Sequence, residues 1–311
     1  MTAPQALHDQ MTALLDRLAP HEGYTLSRLD GVRFMRANQP LGRTPVLYEP
    51  SIVIVCQGSK RGYLADKVYR YDAQHYLVLS VPLPFSTETD ATPRNPCWRS
   101  SCGSIRPPWP TWCCRLTATT GRPRRPTGIT STPLDPTLAD ATLRLLRALA
   151  SPLEARVLGP GIVRELCFRV LVGEQGGAIR AALASQGNFG RISRALRRIH
   201  DDYSQPMEVA TLAREAGLSA PAFHAHFKTI AGTSPIQYIK SIRLHQARLL
   251  MIRDNLTAAA ASTRVGYESA SQFNREFKRL FGRSPGEEAR QMKAMFALLP
   301  AAQLEGVAAT H

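Results

Sequence analysis

Residues 266–285 read GYESASQFNREFKRLFGRSP. A glycine, a serine, two phenylalanines four apart, an arginine–lysine face and a closing Gly-x-Ser-Pro stand together in one short run. Nearly the same phrase occurs earlier in the chain. Ser219, Phe223, Phe227, Lys228, Gly232, Ser234 and Pro235 recur as Ser269, Phe273, Phe277, Lys278, Gly282, Ser284 and Pro285, with an offset of 50 in every pair. Gly217 and Gly266 extend the match with one residue of slack. A repeat at this spacing marks a duplicated supersecondary unit. Two copies are too few for a solenoid, so a paired motif is expected.

Each copy has one grammar. A helix comes first, over Val209–Ala216 in one copy and about Leu256–Val265 in the other. A glycine permits the sharp turn. Ser219 or Ser269 is placed to cap the next helix at its N-terminus. That helix stops at Gly232 or Gly282, and Pro235 or Pro285 suits the start of whatever follows. Helix, tight glycine turn and capped helix make the helix-turn-helix plan.

Helical spacing then sorts the faces. With Phe273 pointing inward, Ala270, Phe277, Leu280 and Phe281 lie on its side. Ser271, Arg275 and Lys278 point away, with Gln272 and Asn274 on the flanks. Arginine pairs bidentately with guanine, and asparagine or glutamine with adenine, so this polar face suits reading of a major groove. A single such helix is equally an ordinary solvated surface helix; the duplication favours the reading role. In the first copy the same construction buries Phe227, Ile230 and Ala231. It exposes Pro221, Ala225 and Lys228, with His224 to one side. Proline and alanine offer no hydrogen bond to a base edge and are left with a thymine methyl or the backbone.

Between the copies lies PIQYIKSIRLHQARLLMIR, residues 235–253. Its spacing predicts one helix with Ile236, Tyr238, Ile239, Ile242, Leu249 and Leu250 on a common side. At about 1.5 Å per residue such a helix spans roughly 28 Å, comparable with the ~34 Å between successive major-groove faces on one side of B-DNA. A stiff rod of that length holds two reading heads in fixed register. Lys240, Arg243, Arg248, Arg253, Arg264, Arg279 and Arg283 are candidates for phosphate contacts, which position without reading sequence. Ser219, Lys228, Ser269 and Lys278 join them as positioning residues.

Upstream the pattern changes. Residues 5–18 read as an amphipathic helix. SIVIVCQG and KVYRYDAQHYLVLSVPLPF, within 46–85, are β-branched or alternating runs, as in an antiparallel sheet or small barrel. GYLADKVYRY reads as a hairpin with Ala65, Asp66 and Lys67 at its tip. Residues 137–150 and 160–172 are helical in period, separated by Ser151 and Pro152. GEQGGAIRAALASQGNFG then reads as a linker, with the last domain starting near Asn188.

Residues 91–134 fit none of this. The stretch has no acidic residue, seven arginines, eight prolines, all three tryptophans and four of the six cysteines. Three readings compete: a metal knot on Cys97, Cys102, Cys113 and Cys114, a disordered basic loop, or a segment read out of frame. Adjacent cysteines are poor zinc spacing, and disordered segments are poor in aromatics. Shifted GC-rich codons yield this Arg, Pro, Trp and Cys mixture, and translation of the gene in its other frames tests the third reading. The stretch also supplies about half of the net charge of +15. The inference from charge to a polyanionic partner is discounted to that extent.

AREAGLSAPAFHAHFKTIAGTSPIQYIKSIRLHQARLLM and RVGYESASQFNREFKRLFGRSP together resemble the AraC/XylS family of bacterial transcription regulators. The resemblance implies an α+β protein. Residues 1–180 would form an N-terminal effector or dimerisation domain, a small antiparallel β-barrel of cupin-like type with helices, whose 91–130 stretch is anomalous. Residues 188–290 would form an all-α domain of two helix-turn-helix subdomains joined by a linker helix, and 291–311 a tail. YEPSIVIVCQGSKRGYLADKVYRYDAQHYLVLSVPLPF looks like the N-terminal domain of one branch of that family. By position, the family's base-reading sites fall on Pro221, His224 and Ala225 in the first recognition helix, and on Ser271 and Arg275 in the second. The implied partners are promoter DNA, RNA polymerase, an unidentified small-molecule effector and a second copy of the chain.

Rival classes lack support in the residues. The eight histidines form no convergent set, and no glycine-rich phosphate loop or Gly-x-Ser-x-Gly elbow occurs. No enzyme activity, metal or cofactor is therefore expected. No apolar run reaches membrane-spanning length, and the N-terminus lacks the basic start and apolar core of a secretory signal. Cytoplasmic location without membrane attachment is the expectation. The remaining alternative is an architectural or non-specific DNA-binding protein without effector response.

Overall fold

The computed structural model describes residues 3–94, 96–102, 128–174, 176, 179–180 and 187–296. By internal contacts the chain divides into two units. One comprises 1–43, 50–80 and 87–184; the other comprises 44–49, 81–86 and 185–311.

The β-rich region opens with helix α1 (Ala3–Leu18). Ten strands follow: β1 (Gly23–Leu26), β2 (Val32–Ala37), β3 (Leu41–Tyr48), β4 (Ser51–Gln57), β5 (Ser59–Leu64), β6 (Lys67–Asp72), β7 (His75–Leu79), β8 (Leu83–Asp90), β9 (Cys97–Cys102) and β10 (Ile129–Pro133). They form a six-stranded sheet in the order β1-β2-β9-β4-β7-β10 and a four-stranded sheet in the order β3-β8-β5-β6. Helices α2 (Pro136–Ala150), α3 (Pro152–Val157) and α4 (Gly159–Val172) come next. Asp135 caps α2 by accepting from the Thr137 and Leu138 amides, and Ser151 caps α3. Leu15, Leu138, Leu146, Leu149, Leu166 and Val170 pack on one face of the larger sheet, against Phe34, Ile52, Ile54, Tyr76, Val78 and Trp98.

Burial on both faces explains why β4 is continuously apolar: six of its seven residues, all but Gln57, are buried. The same reason corrects one expectation. Residues 97–102 carry no hydrophobic alternation, yet they form β9, paired between β2 and β4. A strand covered on both sides needs no polar face. Trp98 belongs to the helix-packed core, while Arg99, its neighbour on the opposite face, bonds the Tyr24 hydroxyl. Residues 129–133 of the same stretch likewise form a strand, β10, paired with β7; Cys113, Cys114 and the rest of 103–127 lie outside the described residues, and the competing readings of that part with them. Among the described residues no group of three or more His, Cys, Asp or Glu could hold a metal ion.

The expected hairpin forms with a shorter tip. Leu64 pairs with Lys67, so Ala65 and Asp66 alone make the turn, with Ala65 at φ 52°. Among the described residues no helix is long and apolar enough to cross a membrane.

Helices make up the C-terminal part of the second unit. They are α5 (Gly187–Asp201), α6 (Val209–Glu215), α7 (Ala220–Ala231), α8 (Pro235–Arg253), α9 (Ala258–Arg264), α10 (Ala270–Phe281) and α11 (Pro285–Phe296). Helix α8 coincides with the rod read from the sequence, but it has no single apolar side. Ile236 is 51% exposed, whereas Tyr238, Ile242, Leu244, Ala247 and Met251 are buried. Tyr238 packs edge-on against Phe227, and Leu244, Ala247 and Met251 join the cluster around Phe273 and Phe277. A helix that serves two cores needs apolar residues in two directions, and a one-sided reading misses this.

Candidate DNA interface

The duplication seen in the sequence is a duplication of geometry. In the first copy α6 ends at a turn where Gly217 has φ 64°. In the second, α9 ends at a turn where Gly266 has φ 83°. Ser219 caps α7 by accepting from the Ala222 amide, and Ser269 caps α10 by accepting from the Gln272 amide. Both helices close on a left-handed glycine, Gly232 at φ 72° and Gly282 at φ 79°. Each left-handed residue lets the chain leave the helix without the Cβ crowding that other residues would meet.

Beneath the helices the cores match as well. Phe223 and Phe227 have ring centroids 5.5 Å apart, and so do Phe273 and Phe277. All four rings are fully buried. Tyr238 packs edge-on against the first pair and Tyr267 against the second. Residues 221–229 and 271–279 accordingly have the same sequence of exposed, half-buried and buried positions.

Each turn is also held by an arginine from the helix that precedes its helix-turn-helix, α5 for the first copy and α8 for the second. Arg191 donates to the Gly217 carbonyl at 2.8 Å, and Arg243 to the Gly266 carbonyl at 2.9 Å. Arg243 further donates to the carbonyls of Tyr203 and Gln205. This corrects its placement among the phosphate contacts: its donors are spent on backbone carbonyls, one in the turn and two in the segment between α5 and α6. Arg248 is likewise misplaced by sequence reasoning. It is fully buried, paired with Glu288 at 3.3 Å and stacked 4.5 Å from the Phe281 ring centroid. Arg283 pairs with the other oxygen of Glu288. Charge alone, read along a helix, does not show that a neighbouring helix brings a carboxylate.

The outward faces differ in chemistry. Pro221, His224, Ala225 and Lys228 are exposed on α7. Ser271, Asn274, Arg275, Lys278 and Arg279 are exposed on α10. Gln272 is half-buried and donates to Glu276 at 3.1 Å. Glu276 also accepts from Lys240 at 2.6 Å and from the Tyr267 hydroxyl at 2.7 Å. Burial pushes the Glu276 carboxyl up, but the bonds from Lys240, Tyr267 and Gln272 outweigh it and leave it below the usual carboxylate range. Sequence reasoning passed over Glu276; the Gln272 to Glu276 spacing of one helical turn was the available signal.

Helix α11 begins with a reciprocal cap. The Ser284 amide donates to Glu287 at 2.9 Å, and the Glu287 amide returns a bond to the Ser284 hydroxyl, the capping-box arrangement.

Comparison with known proteins follows the same division. A family model described as AraC-type transcriptional regulator N-terminus matches residues 28–178, and one described as helix-turn-helix domain matches 212–291. The chain belongs to the AraC/XylS family. Among relatives of this AraC/XylS chain is the RCS-specific HTH-type transcriptional activator RclR of Escherichia coli (strain K12). It is 32% identical over 87 residues, covering 28% of this chain and 31% of RclR. The virulence regulon transcriptional activator VirF of Yersinia enterocolitica is 26% identical over 125 residues, covering 40% of this chain and 46% of VirF. The chain thus spans less than half the length of these curated relatives. In fold it is similar to Vibrio cholerae ToxT, solved with an unsaturated fatty acid bound. The TM-score is 0.53 at 12% identity, over 82% of this chain and 94% of ToxT.

Proposed function

We propose that this AraC/XylS chain is a sequence-specific DNA-binding regulator of transcription whose N-terminal part, residues 1–180, answers to a small molecule. The observation that carries the reading is the paired helix-turn-helix geometry: two capped helices with one burial pattern, each seated on a buried phenylalanine pair. Residues 188–290 would bind a promoter. Ser271, Asn274 and Arg275 would read base edges, with Gln272 at the margin of that set. Pro221, His224 and Ala225 would approach the second major-groove segment with little hydrogen bonding. Lys228, Lys278 and Arg279 would neutralise phosphates, and the capping serines Ser219 and Ser269 would aim helix N-termini at the backbone. Lys240, engaged with Glu276, would contribute by holding α10.

An effector role agrees with the fold shared with ToxT, which has been solved with a fatty acid bound. RNA polymerase and a second copy of the chain are the further partners this role calls for. Regulation here is a population shift between DNA-binding states rather than catalysis. Selection of bound sites from random duplex DNA, followed by footprinting, tests the proposal. Enrichment of a consensus with two half-sites about one helical turn apart is expected. Binding without sequence enrichment, at equal affinity for unrelated duplexes, overturns it in favour of an architectural role.

A further inference from the structure

Each recognition helix is tied to the helix that precedes its motif, but the two ties differ in chemistry. Arg191 on α5 and Arg243 on α8 hold the two turns. The same step along the chain carries Asn188 on α5 to Lys240 on α8. Asn188 bonds His226 of α7 at 2.9 Å, and Lys240 donates to Glu276 of α10 at 2.6 Å. His226 and Glu276 are themselves 50 residues apart, as the two motifs are. A neutral pair therefore seats the first recognition helix, and a charged pair stands at the same place in the second.

The second copy then adds donors for which the first has no counterpart. Tyr267 and Gln272 both donate to the Glu276 carboxylate, at 2.7 and 3.1 Å. Leu218 follows Gly217 as Tyr267 follows Gly266, and Ala222 stands where the second copy has Gln272. Neither leucine nor alanine has a polar side-chain atom, so the shared scaffold does not require these bonds. Lys240 and Gln272 meet one oxygen of Glu276, and Tyr267 meets the other. Hydrogen bonds to an ionised acceptor are stronger than neutral ones. The carboxylate is thus fixed from two other segments, and it fixes Gln272 in turn.

Gln272 borders the reading face. At helical spacing it lies roughly 60° around α10 from Arg275, close enough for its side chain to swing toward a base edge. Reading adenine takes the donor and the acceptor of a glutamine amide together. Here the amide nitrogen is drawn one helical turn along α10 to Glu276, and the side chain is half-buried.

We propose that Glu276, anchored by Lys240 and Tyr267, is a specificity-determining positioning residue: it holds the Gln272 amide away from the bases, so that α10 reads through Ser271, Asn274 and Arg275 alone. The inference rests on the reading of α10 as a base-reading helix, and it removes Gln272 from the readers.

Selection of bound sites from random duplex DNA, by the full chain and its variants, tests this. Gln272→Ala should leave the consensus unchanged and alter affinity for the selected site by less than about twofold. Glu276→Ala should free the amide and add a preference for adenine at one base pair beside that read by Arg275, by about fivefold or more over the other bases. The double variant Gln272→Ala/Glu276→Ala should lose that new preference. A merely structural Glu276 predicts otherwise: Glu276→Ala weakens binding to every sequence alike and the consensus stays where it was. That result overturns the inference, and so does a new preference that survives in the double variant. Should Glu276→Ala misfold, Gln272→Ala in the otherwise native chain decides. An unchanged consensus upholds the exclusion of Gln272, and a position that relaxes overturns it. The two proposals fail separately. No consensus with the native chain removes the reading role of α10 and this inference with it. A native consensus that relaxes in Gln272→Ala keeps the reading role and removes the inference alone.

Discussion

Helix α7 presents Pro221, His224, Ala225 and Lys228 to its surroundings, and α10 presents Ser271, Asn274, Arg275 and Lys278 at the equivalent positions. Below the surface the two helices share a serine cap, two phenylalanine rings tilted against each other and a left-handed glycine, and each pair meets an edge-on tyrosine, from α8 in the first copy and from the turn in the second. The buried half of each copy is constrained by packing, where a change of one methylene is felt. The outward half is free of that constraint and can diverge. On the proposed function α10 reads bases and α7 mainly aligns the protein on the duplex. The copies also differ underneath, as at Glu276. Glu276, with three donors, stands where the first copy has His226, whose ring faces Asn188.

The strongest way to break this pairing is in the cores. Phe223→Ala and Phe273→Ala should each cost about 3–5 kcal/mol, and denaturant unfolding monitored by circular dichroism measures both. Equal losses uphold the structural equivalence; a loss confined to one copy breaks it. The turns should respond unequally. A Cβ on Gly266 would sit 2.5 Å from the Ser204 carbonyl, whereas one on Gly217 would be no closer than 3.6 Å to Arg191. Gly217→Ala therefore meets only the left-handed backbone cost of about 1–2 kcal/mol, and Gly266→Ala should exceed it in the same unfolding measurement.

On DNA the asymmetry should reverse into one of chemistry. Arg275→Ala should lower specific affinity by roughly 1–3 kcal/mol and relax one base position. His224→Ala and Pro221→Ala should leave the selected consensus unchanged, and a shift in it would show that α7 reads sequence after all. The smallest effect is expected with acid. Glu276 is held below the usual carboxylate value of 4.5 in the folded state. Its contribution is therefore present above that value and lost as pH falls through the folded one. Site-resolved NMR across the acid range should show α10 loosening before α7, and Glu276→Gln should remove the difference.

Much of this was readable from residues in order. The offset of 50 between the two motifs, the capping serines and the terminating glycines are local rules of turn and helix, and each predicted element formed. The solvent-facing residues of α10 followed from helical spacing around Phe273. Arg243 and Arg248 did not: their partners, the carbonyl of Gly266 and the carboxylate of Glu288, come from other helices. Strand β9 escaped for a related reason, since its residues are buried by two different sets of neighbours and show no period.

The sequence by itself determined the duplicated helix-turn-helix unit, the rod between the copies and the faces of the recognition helices. These depend on spacing within a few turns of chain, where one residue type and one backbone angle are enough. Tertiary structure alone decided which arginines remain available to a phosphate and how α8 supplies two cores. Those outcomes depend on which groups distant segments bring together, and a charge in a one-dimensional string carries no record of the partner that will neutralise it.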